Sequence, residues 1–254
     1  MTPEPSTDLV LQVSDLTVRF GGLVALHDIT LEVGRGERLA ILGPNGAGKT
    51  TLFNVIAGDL VPTAGSVVID GVDCTLLPSR RRPSMGVART YQKTRTFAGL
   101  TVADNLYLAI AGKRGRHRAL WRTSTDREWR ELAEATARSV WLADKRNALV
   151  GDLSHGEKRQ LEVGMAVATS PDTLLLDEPA SGLSRGERER LIELLEQLAA
   201  DKTLLLIEHD MDVAFRVADR VFVMADGAAI AMGTPEEIRA NELVHEIYLG
   251  RDAA

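Results

Sequence analysis

At 254 residues the chain is long enough for one large α/β domain or for a core with a sub-domain, and either can bury a sizeable core. Its 44% hydrophobic and 26% charged content is ordinary for a soluble globular protein, and a net charge of −6 gives no reason to expect nucleic acid as a partner. A single cysteine, Cys74, excludes an internal disulfide and any multi-cysteine metal site, which suits a reducing cytosol.

The first eight residues have neither a basic stretch nor an apolar one, so they read as a short tail and not as a signal peptide. No apolar run approaches the ~20 residues needed to span a bilayer. Residues 10–20 and 26–33 read as strands. In the second, Ile29, Leu31 and Val33 alternate with Asp28, Thr30 and Glu32, the period of a half-buried antiparallel strand. Residues 66–71 predict another, so an antiparallel sheet is expected to flank the strand at 38–42. Phe20, ahead of Gly21 and Gly22, ends a strand and reads either as an edge-of-core aromatic or as a platform for a purine.

Gly43-Pro44-Asn45-Gly46-Ala47-Gly48-Lys49-Thr50 satisfies G-x-x-x-x-G-K-S/T. The apolar run 38–42 before it reads as a buried strand. After it, Leu52, Phe53, Val55 and Ile56 have helical spacing, and Gly58 is placed to stop the helix. Strand, glycine-rich turn and helix start together make an anion site: glycines clear the path to the backbone, and the helix N-terminus supplies free N–H donors and a favourable dipole. Lys49 would neutralise β- and γ-phosphate charge, Thr50 would ligate Mg²⁺, and Thr51 lies next in the helix start.

Residues 72–92 read as loop-rich, with a basic turn at Arg80-Arg81-Arg82-Pro83 and a strand at 87–92. From 93 to 151 the sequence is helical, charged and poor in strand signals, with a capping pattern at Thr101 and Asp104. A basic run at 113–118 beside Trp121 and Trp129 is open to two readings, a solvated loop or a face for anionic lipid or nucleic acid. The expected division is a core from 9–92 and 152–232, an inserted helical sub-domain at 93–151, and a C-terminal helix and tail at 233–254.

Ser154 and Glu157 have capping-box spacing at the start of a second strong helix. The apolar run 173–177 reads as a parallel-sheet strand ending in Asp177 and Glu178, at the end where such sheets bind ligands. Ser184 and Glu187 cap an amphipathic helix at 184–200, and 203–207 is a further buried strand ending at Glu208, His209 and Asp210. A hairpin turning at Asp226-Gly227 comes next, then one helix from Pro235 to Tyr248, capped by Thr234 and Glu237.

Hydrolysis of a nucleoside triphosphate needs a phosphate cradle, a metal held by hydroxyl and carboxylate, a group to position water, and stabilisation of the γ-phosphoryl. The loop supplies the first. Asp177 suits the Mg²⁺ carboxylate, Glu178 can polarise the attacking water or be a surface acid, and His209 can meet the γ-phosphate or be structural. No guanine-selecting N-K-x-D pattern is present. A small-molecule kinase would require an acceptor site and a lid.

Taken together these residues resemble the ATP-binding-cassette ATPases over essentially the whole chain. The loop 43–50 is similar to their Walker A loop, with Thr51 following it, Leu174 to Glu178 to Walker B and its catalytic Glu, and Leu153-Ser154-His155-Gly156-Glu157 to the signature motif. Gln92 matches the Q-loop glutamine, His209 the switch histidine, and Phe20 the adenine-stacking aromatic. The resemblance implies an α/β P-loop NTPase with a RecA-like mixed-sheet core, an N-terminal antiparallel β-subdomain and an inserted helical subdomain. It implies ATP and Mg²⁺ as cofactors, with Gln92 as a further ligand beside Thr50 and Asp177. It also implies a second cassette packed head to tail, so that Ser154, His155, Gly156 and Glu157 meet the nucleotide held by the other subunit. The 93–151 segment would then dock on transmembrane permease subunits, with Gln92 as the hinge. The protein would sit in the cytoplasm on the inner face of the membrane and be served indirectly by a solute-binding protein.

Three positions depart from the family pattern: His155 and Glu157 stand where Gly and Gln are commonest, and Ser184 where the D-loop Asp is usual. Residues 19–26, Arg89 to Gln92 with Arg95 and Phe97, residues 207–211 and the terminal Tyr248-Leu249-Gly250 are similar to importers of branched-chain and other hydrophobic amino acids. Urea and short-amide importers share much of this pattern, lipopolysaccharide-export ATPases less. Soluble cassette ATPases of translation or DNA repair usually carry two cassettes or long coiled coils, and neither is present.

Overall fold

The computed structural model describes residues 8–90, 96–113, 124–198 and 202–249. The chain opens with a hairpin of β1 (Leu9–Phe20) and β2 (Leu23–Gly34), followed by β3 (Arg38–Leu42), the phosphate-loop segment and α1 (Lys49–Ile56). The alternation expected in β2 holds: Ile29, Leu31 and Val33 are buried, while Asp28, Thr30 and Glu32 face solvent. β4 (Ala64–Ile69) and β5 (Val72–Asp73) complete a four-stranded antiparallel sheet in the order β2-β1-β4-β5.

A 3-10 turn (Ser79–Met85) leads to β6 (Val87–Arg89). The basic turn expected there is not uniformly solvated. Arg82 is buried, its Nε donating to the Ile56 carbonyl at 2.8 Å and its Nη2 to that of Cys74 at 3.0 Å, so it closes the end of α1. β6 is shorter than the strand expected over 87–92. Thr90 continues its ladder by donating to the Leu175 carbonyl, and 91–92 lie outside the described residues.

Next come α2 (Val102–Lys113) and α3 (Ser124–Ser139). Of the basic run, only Lys113 is described, and its ammonium is tied to the carbonyls of Thr169 and Ser170. Trp121 also lies outside the described residues. Trp129 is no surface aromatic. It is 5% exposed, between α2 and α3, with its ring centroid 6.1 Å from that of Tyr107, whose hydroxyl donates to Asp126 at 2.6 Å.

The remaining elements are α4 (His155–Ala168), β7 (Thr173–Asp177), α5 (Arg185–Leu198), β8 (Thr203–Ile207), α6 (Met211–Val217), β9 (Arg220–Ala225) and β10 (Ala228–Gly233). The β9–β10 turn at Asp226 (φ 48°) and Gly227 (φ 79°) has both central residues left-handed, as a two-residue hairpin of matching twist requires. In place of the single C-terminal helix expected, the chain forms two, α7 (Pro235–Arg239) and α8 (Glu242–Leu249). The break is at Asn241, whose side chain accepts from the Val244 N–H at 3.2 Å and starts a new helix.

β6, β7, β8, β3 and β9 run parallel in a six-stranded sheet of order β10-β9-β3-β8-β7-β6, with β10 antiparallel at the edge. Both faces are covered, which is why β7 and β8 carry the uninterrupted apolar runs 174–176 and 204–207. Leu205 and Ile207 pack with α1 and the antiparallel sheet. Leu204 and Leu206 pack with α4, α5 and the helices before them. Each such leucine contributes about 1.5–3 kcal/mol by its burial. The carboxyl ends of β3, β7 and β8 consequently lie side by side at one edge. No helix among the described residues is long and apolar enough to cross a membrane.

Trp129→Ala is expected to cost about 3–5 kcal/mol of stability in denaturant unfolding, because it empties the space between α2 and α3. A loss under about 1 kcal/mol would put the indole at the surface after all.

Candidate active site

The segment 43–50 joins β3 to α1 as a cradle. Gly43 approaches the end of β9 so closely that a Cβ there would lie 2.2 Å from the Met224 carbonyl oxygen. Gly48 is left-handed at φ 96°, and a Cβ on it would meet the Ala25 carbonyl at 2.8 Å. No side chain caps α1, so its first N–H groups remain for an anion. Lys49 is 5% exposed and donates from Nζ to the carbonyls of Gly43 (2.5 Å) and Pro44 (3.0 Å). Burial lowers its affinity for the proton, while Glu178, Asp177 and Glu208 nearby oppose that shift.

A cleft of about 570 Å³ opens over this loop, lined by Asn45, Gly46, Ala47, Gly48, Lys49, Thr50 and Thr51, with Glu178 on one side and Asp226 and Gly227 on another. Phe20, at the end of β1, forms part of its wall and is half exposed.

Asp177 ends β7 fully buried. Its Oδ2 accepts from Arg89 Nη2 at 3.1 Å, and Arg89 Nη1 also donates to Asp59 at 3.0 Å. Burial raises the Asp177 carboxyl, and Arg89 pulls it back. Its Oδ1 is buried with no hydrogen-bond partner among the described residues. An orphaned carboxylate oxygen facing a threonine-bearing phosphate loop fits a divalent cation held chiefly by phosphate and water. No group of three or more His, Cys, Asp or Glu among the described residues could hold a metal unaided. Gln92, the other expected ligand, lies outside the described residues.

Glu178 has φ 46°, a strained value for a residue with a side chain. Its N–H donates to the Ile207 carbonyl at 3.0 Å, and its carboxylate lies 3.9 Å from His209 Nδ1, beyond hydrogen-bonding distance. His209 is half exposed at the end of β8. Strands β7 and β8 thus bring Asp177, Glu178 and His209 together.

Between them lies a residue that the motifs do not mark. Glu208 is fully buried; its Oε1 accepts from the Ala180 N–H at 3.0 Å and its Oε2 has no hydrogen-bond partner among the described residues. Burial pushes this carboxyl up to about 7, against the N–H donors of Ala180 and His209. A signal existed: the two-residue period through Leu204 and Leu206 carries 208 to the same inward face.

The signature-like residues form a second cluster that does not line the cleft over Lys49. Ser154 caps α4 in a full capping box: its Oγ accepts from the Glu157 N–H at 3.2 Å, and its own N–H donates to Glu157 at 2.9 Å. Burial works against the Glu157 charge, but Lys145 and the Ser154 N–H outweigh it and hold the carboxyl low. His155 lies against Gly182. The Gly156 N–H donates to Glu187 Oε1 at 2.9 Å, and Ser154 Oγ is 3.5 Å from the same oxygen. Glu187 also caps α5 with Ser184, as expected, and its carboxyl is held down to about 2 by the Ser184 hydroxyl, the Ser184 N–H and the Gly156 N–H. In a single chain, then, the donors at the start of α4 already hold an anion.

Residues 26–181 match the sequence pattern of the ABC transporter family. The chain belongs to that family. Residues 230–254 also match the pattern of branched-chain amino acid ATP-binding cassette transporters. The cassette is 39% identical over 251 residues to the high-affinity branched-chain amino acid transport ATP-binding protein LivG of Salmonella typhimurium. It is 39% identical over 255 residues to BraF of Pseudomonas aeruginosa, with 95% of this chain and 98% of each relative covered. Among solved structures, the ADP conformation of an ATP-binding cassette of an ABC transporter is similar with a TM-score of 0.84 at 29% identity, over 96% of this chain and 100% of that one. A nucleotide-free cassette gives 0.82 at 28%, over 94% and 98%. The cassette binds and hydrolyses ATP, and its P-loop NTPase fold and family agree with the expectations drawn from its motifs.

Because the Glu208 carboxyl binds its proton more tightly folded than unfolded, it adds stability that is full below about 4.5 and lost as pH rises to about 7. In nucleotide-free unfolding experiments, the wild type should lose about 3 kcal/mol relative to Glu208→Gln across that window and nothing further above it. Parallel stability profiles for the two proteins would show that Glu208 stays ionised in the fold.

Proposed function

We propose that this chain is the ATP-hydrolysing subunit of an importer for branched-chain or other hydrophobic amino acids, working on the cytoplasmic face of the membrane. The observation that carries it is the separation of two phosphate-binding halves. The cradle, Asp177, Glu178 and His209 share one strand edge, while the donors of Ser154 and Gly156 sit outside that cleft. Each half lacks what the other has, so two cassettes packed head to tail make two complete sites.

Phe20 stacks on the adenine, residues 43–51 wrap the phosphates, and Lys49 exchanges the carbonyls of Gly43 and Pro44 for β- and γ-phosphate oxygens. Thr50, Gln92 and Asp177 would hold Mg²⁺, which would supply charge neutralisation at those phosphates. Glu178 takes up the proton of the attacking water, and His209 contacts the γ-phosphoryl from the end of β8. Across the dimer, the start of α4 offers its dipole and N–H groups to the same phosphate. His155 and Glu157 are compatible with this, since Ser154 and Gly156 carry the donors. Closure exchanges one anion for another at α4: Glu187 gives way to a γ-phosphate.

Permease subunits dock beside the inserted helices. A cleft of about 550 Å³ lies there between the 3-10 turn, β6, α2 and α4, with Thr90 in its wall two residues before Gln92. A solute-binding protein delivers the amino acid from the other side. The signature Leu153-Ser154-His155-Gly156, shared with urea and short-amide importers, supports a second reading of the solute.

Glu178→Gln should cut phosphate release by about 10² or more and accumulate an ATP-bound dimer detectable by light scattering. A near wild-type rate removes Glu178 from its role. In that background, adding Glu187→Gln, which keeps the capping box, should lower the ATP concentration for half-maximal dimerisation at least about threefold; an unchanged value would mean that Glu187 does not compete with phosphate. Proteins that co-purify from native membranes, reconstituted and assayed for leucine and urea uptake, decide between the two solutes.

A further inference from the structure

We propose that Arg159 is a positioning residue for Glu178, and that Glu162 sets Arg159 in place. The proposal rests on the reading of Glu178 as the group that activates water. Arg159 is the fifth residue of α4 and is buried, an unusual place for a guanidinium. Its donors are spent on three targets. Nε donates to the Pro179 carbonyl at 3.1 Å and Nη2 to the Glu178 carbonyl at 3.0 Å, while Nη1 donates to Glu162 Oε2 at 2.6 Å.

Glu178 is left-handed at φ 46°, and the residue after it is a proline with no N–H of its own. A strained residue followed by proline has few ways to hold its backbone. Here its N–H is tied to β8 through the Ile207 carbonyl, its own carbonyl accepts from the Ser181 N–H at 3.1 Å as well as from Arg159, and Arg159 alone spans that carbonyl and the one of Pro179. The direction of the Glu178 carboxylate is set by that fixed backbone. Because Arg159 rides on α4, about one turn from Gly156 and a turn and a half from Ser154, the helix that meets the other cassette's phosphate also carries the clamp on this chain's own Glu178. Glu162, in the wall of the cleft beside the inserted helices, neutralises Arg159 and fixes its plane.

The test uses the full-length cassette and three readouts: melting temperature, ATP affinity by calorimetry, and phosphate release at saturating ATP. Removing Arg159 alone would strand a buried carboxylate, so the decisive variant is Arg159→Met with Glu162→Leu, an apolar pair of similar volume. Turnover should fall between about 10- and 100-fold with ATP affinity unchanged, the signature of a displaced reacting group. Arg159→Lys keeps the pair with Glu162 but reaches only one carbonyl, and should give an intermediate rate with normal folding. If the double variant does not fold, Arg159→Lys alone decides. A folded variant of either kind with wild-type turnover overturns the proposal, as does loss of ATP affinity in step with turnover. Glu178→Gln measured alongside separates the two claims: if it retains turnover, the assignment of Glu178 falls, whereas if only the Arg159 variants retain it, the clamp alone falls.

Discussion

Covering both faces of the parallel sheet is the constraint on which everything else depends. β7 and β8 can carry leucine on both faces only because α1 and the antiparallel sheet lie on one side and α4 and α5 on the other. The sheet therefore has no polar face on which to place a reactive group. Charge can enter only where burial stops, at the carboxyl ends of the strands. Parallel pairing puts those ends side by side: Gly43 after β3, Asp177 and Glu178 at β7, Glu208 and His209 after β8. The active-site edge is thus a consequence of how the core is built.

That edge concentrates like charges in a desolvated place, and the fold handles each acid differently. Asp177 is compensated by Arg89. Glu178 keeps a partly exposed carboxylate and has its backbone pinned. Glu208 has no cation in hydrogen-bonding distance, and burial pushes its carboxyl up to about 7, so that it holds its proton about half the time near neutral pH. Lys49 donates to its own loop. Those two bonds are weaker than what ATP offers, since charge-assisted bonds to phosphate are stronger than bonds to carbonyls. The same desolvation that makes the empty arrangement costly strengthens the bonds formed when nucleotide enters.

Much of this is legible in the chain because its signals are short-range. The flanks of the phosphate loop, the capping boxes at Ser154 and Thr234, the Asp226-Gly227 turn and the apolar strand ahead of Asp177 all lie within a few residues of what they determine. The parts that escape depend on partners distant in sequence. Glu187 reaches Gly156 from 31 residues away, Arg159 reaches Glu178 and Pro179 from another element, and Arg82 closes α1 from 26 residues off. Local spacing assigns Glu187 correctly as a cap and cannot show its second bond. Trp129 sits near a basic run in sequence, but the packing of α2 on α3 decides its place. The C-terminal break is the opposite case: Asn241 is a local signal, masked by the longer helical pattern around it.

In the proposed head-to-tail pair, Ser184 bears on how the two halves of the composite site communicate. Where the family commonly has an aspartate, the serine spends its hydroxyl on Glu187, which in turn holds Gly156. The turn before α5 and the start of α4 are therefore joined within one chain through a carboxylate. Arg159 joins the same helix to the Glu178 loop about one turn further on. α4 is consequently bonded at two levels to the segment 178–187, and both bonds involve charge. A shift of its N-terminus toward a phosphate must break the first and load the second. In the proposed pair, contact at one site would in this way be felt at the backbone of the other, through the hydrogen bonds that α4 makes to the segment 178–187.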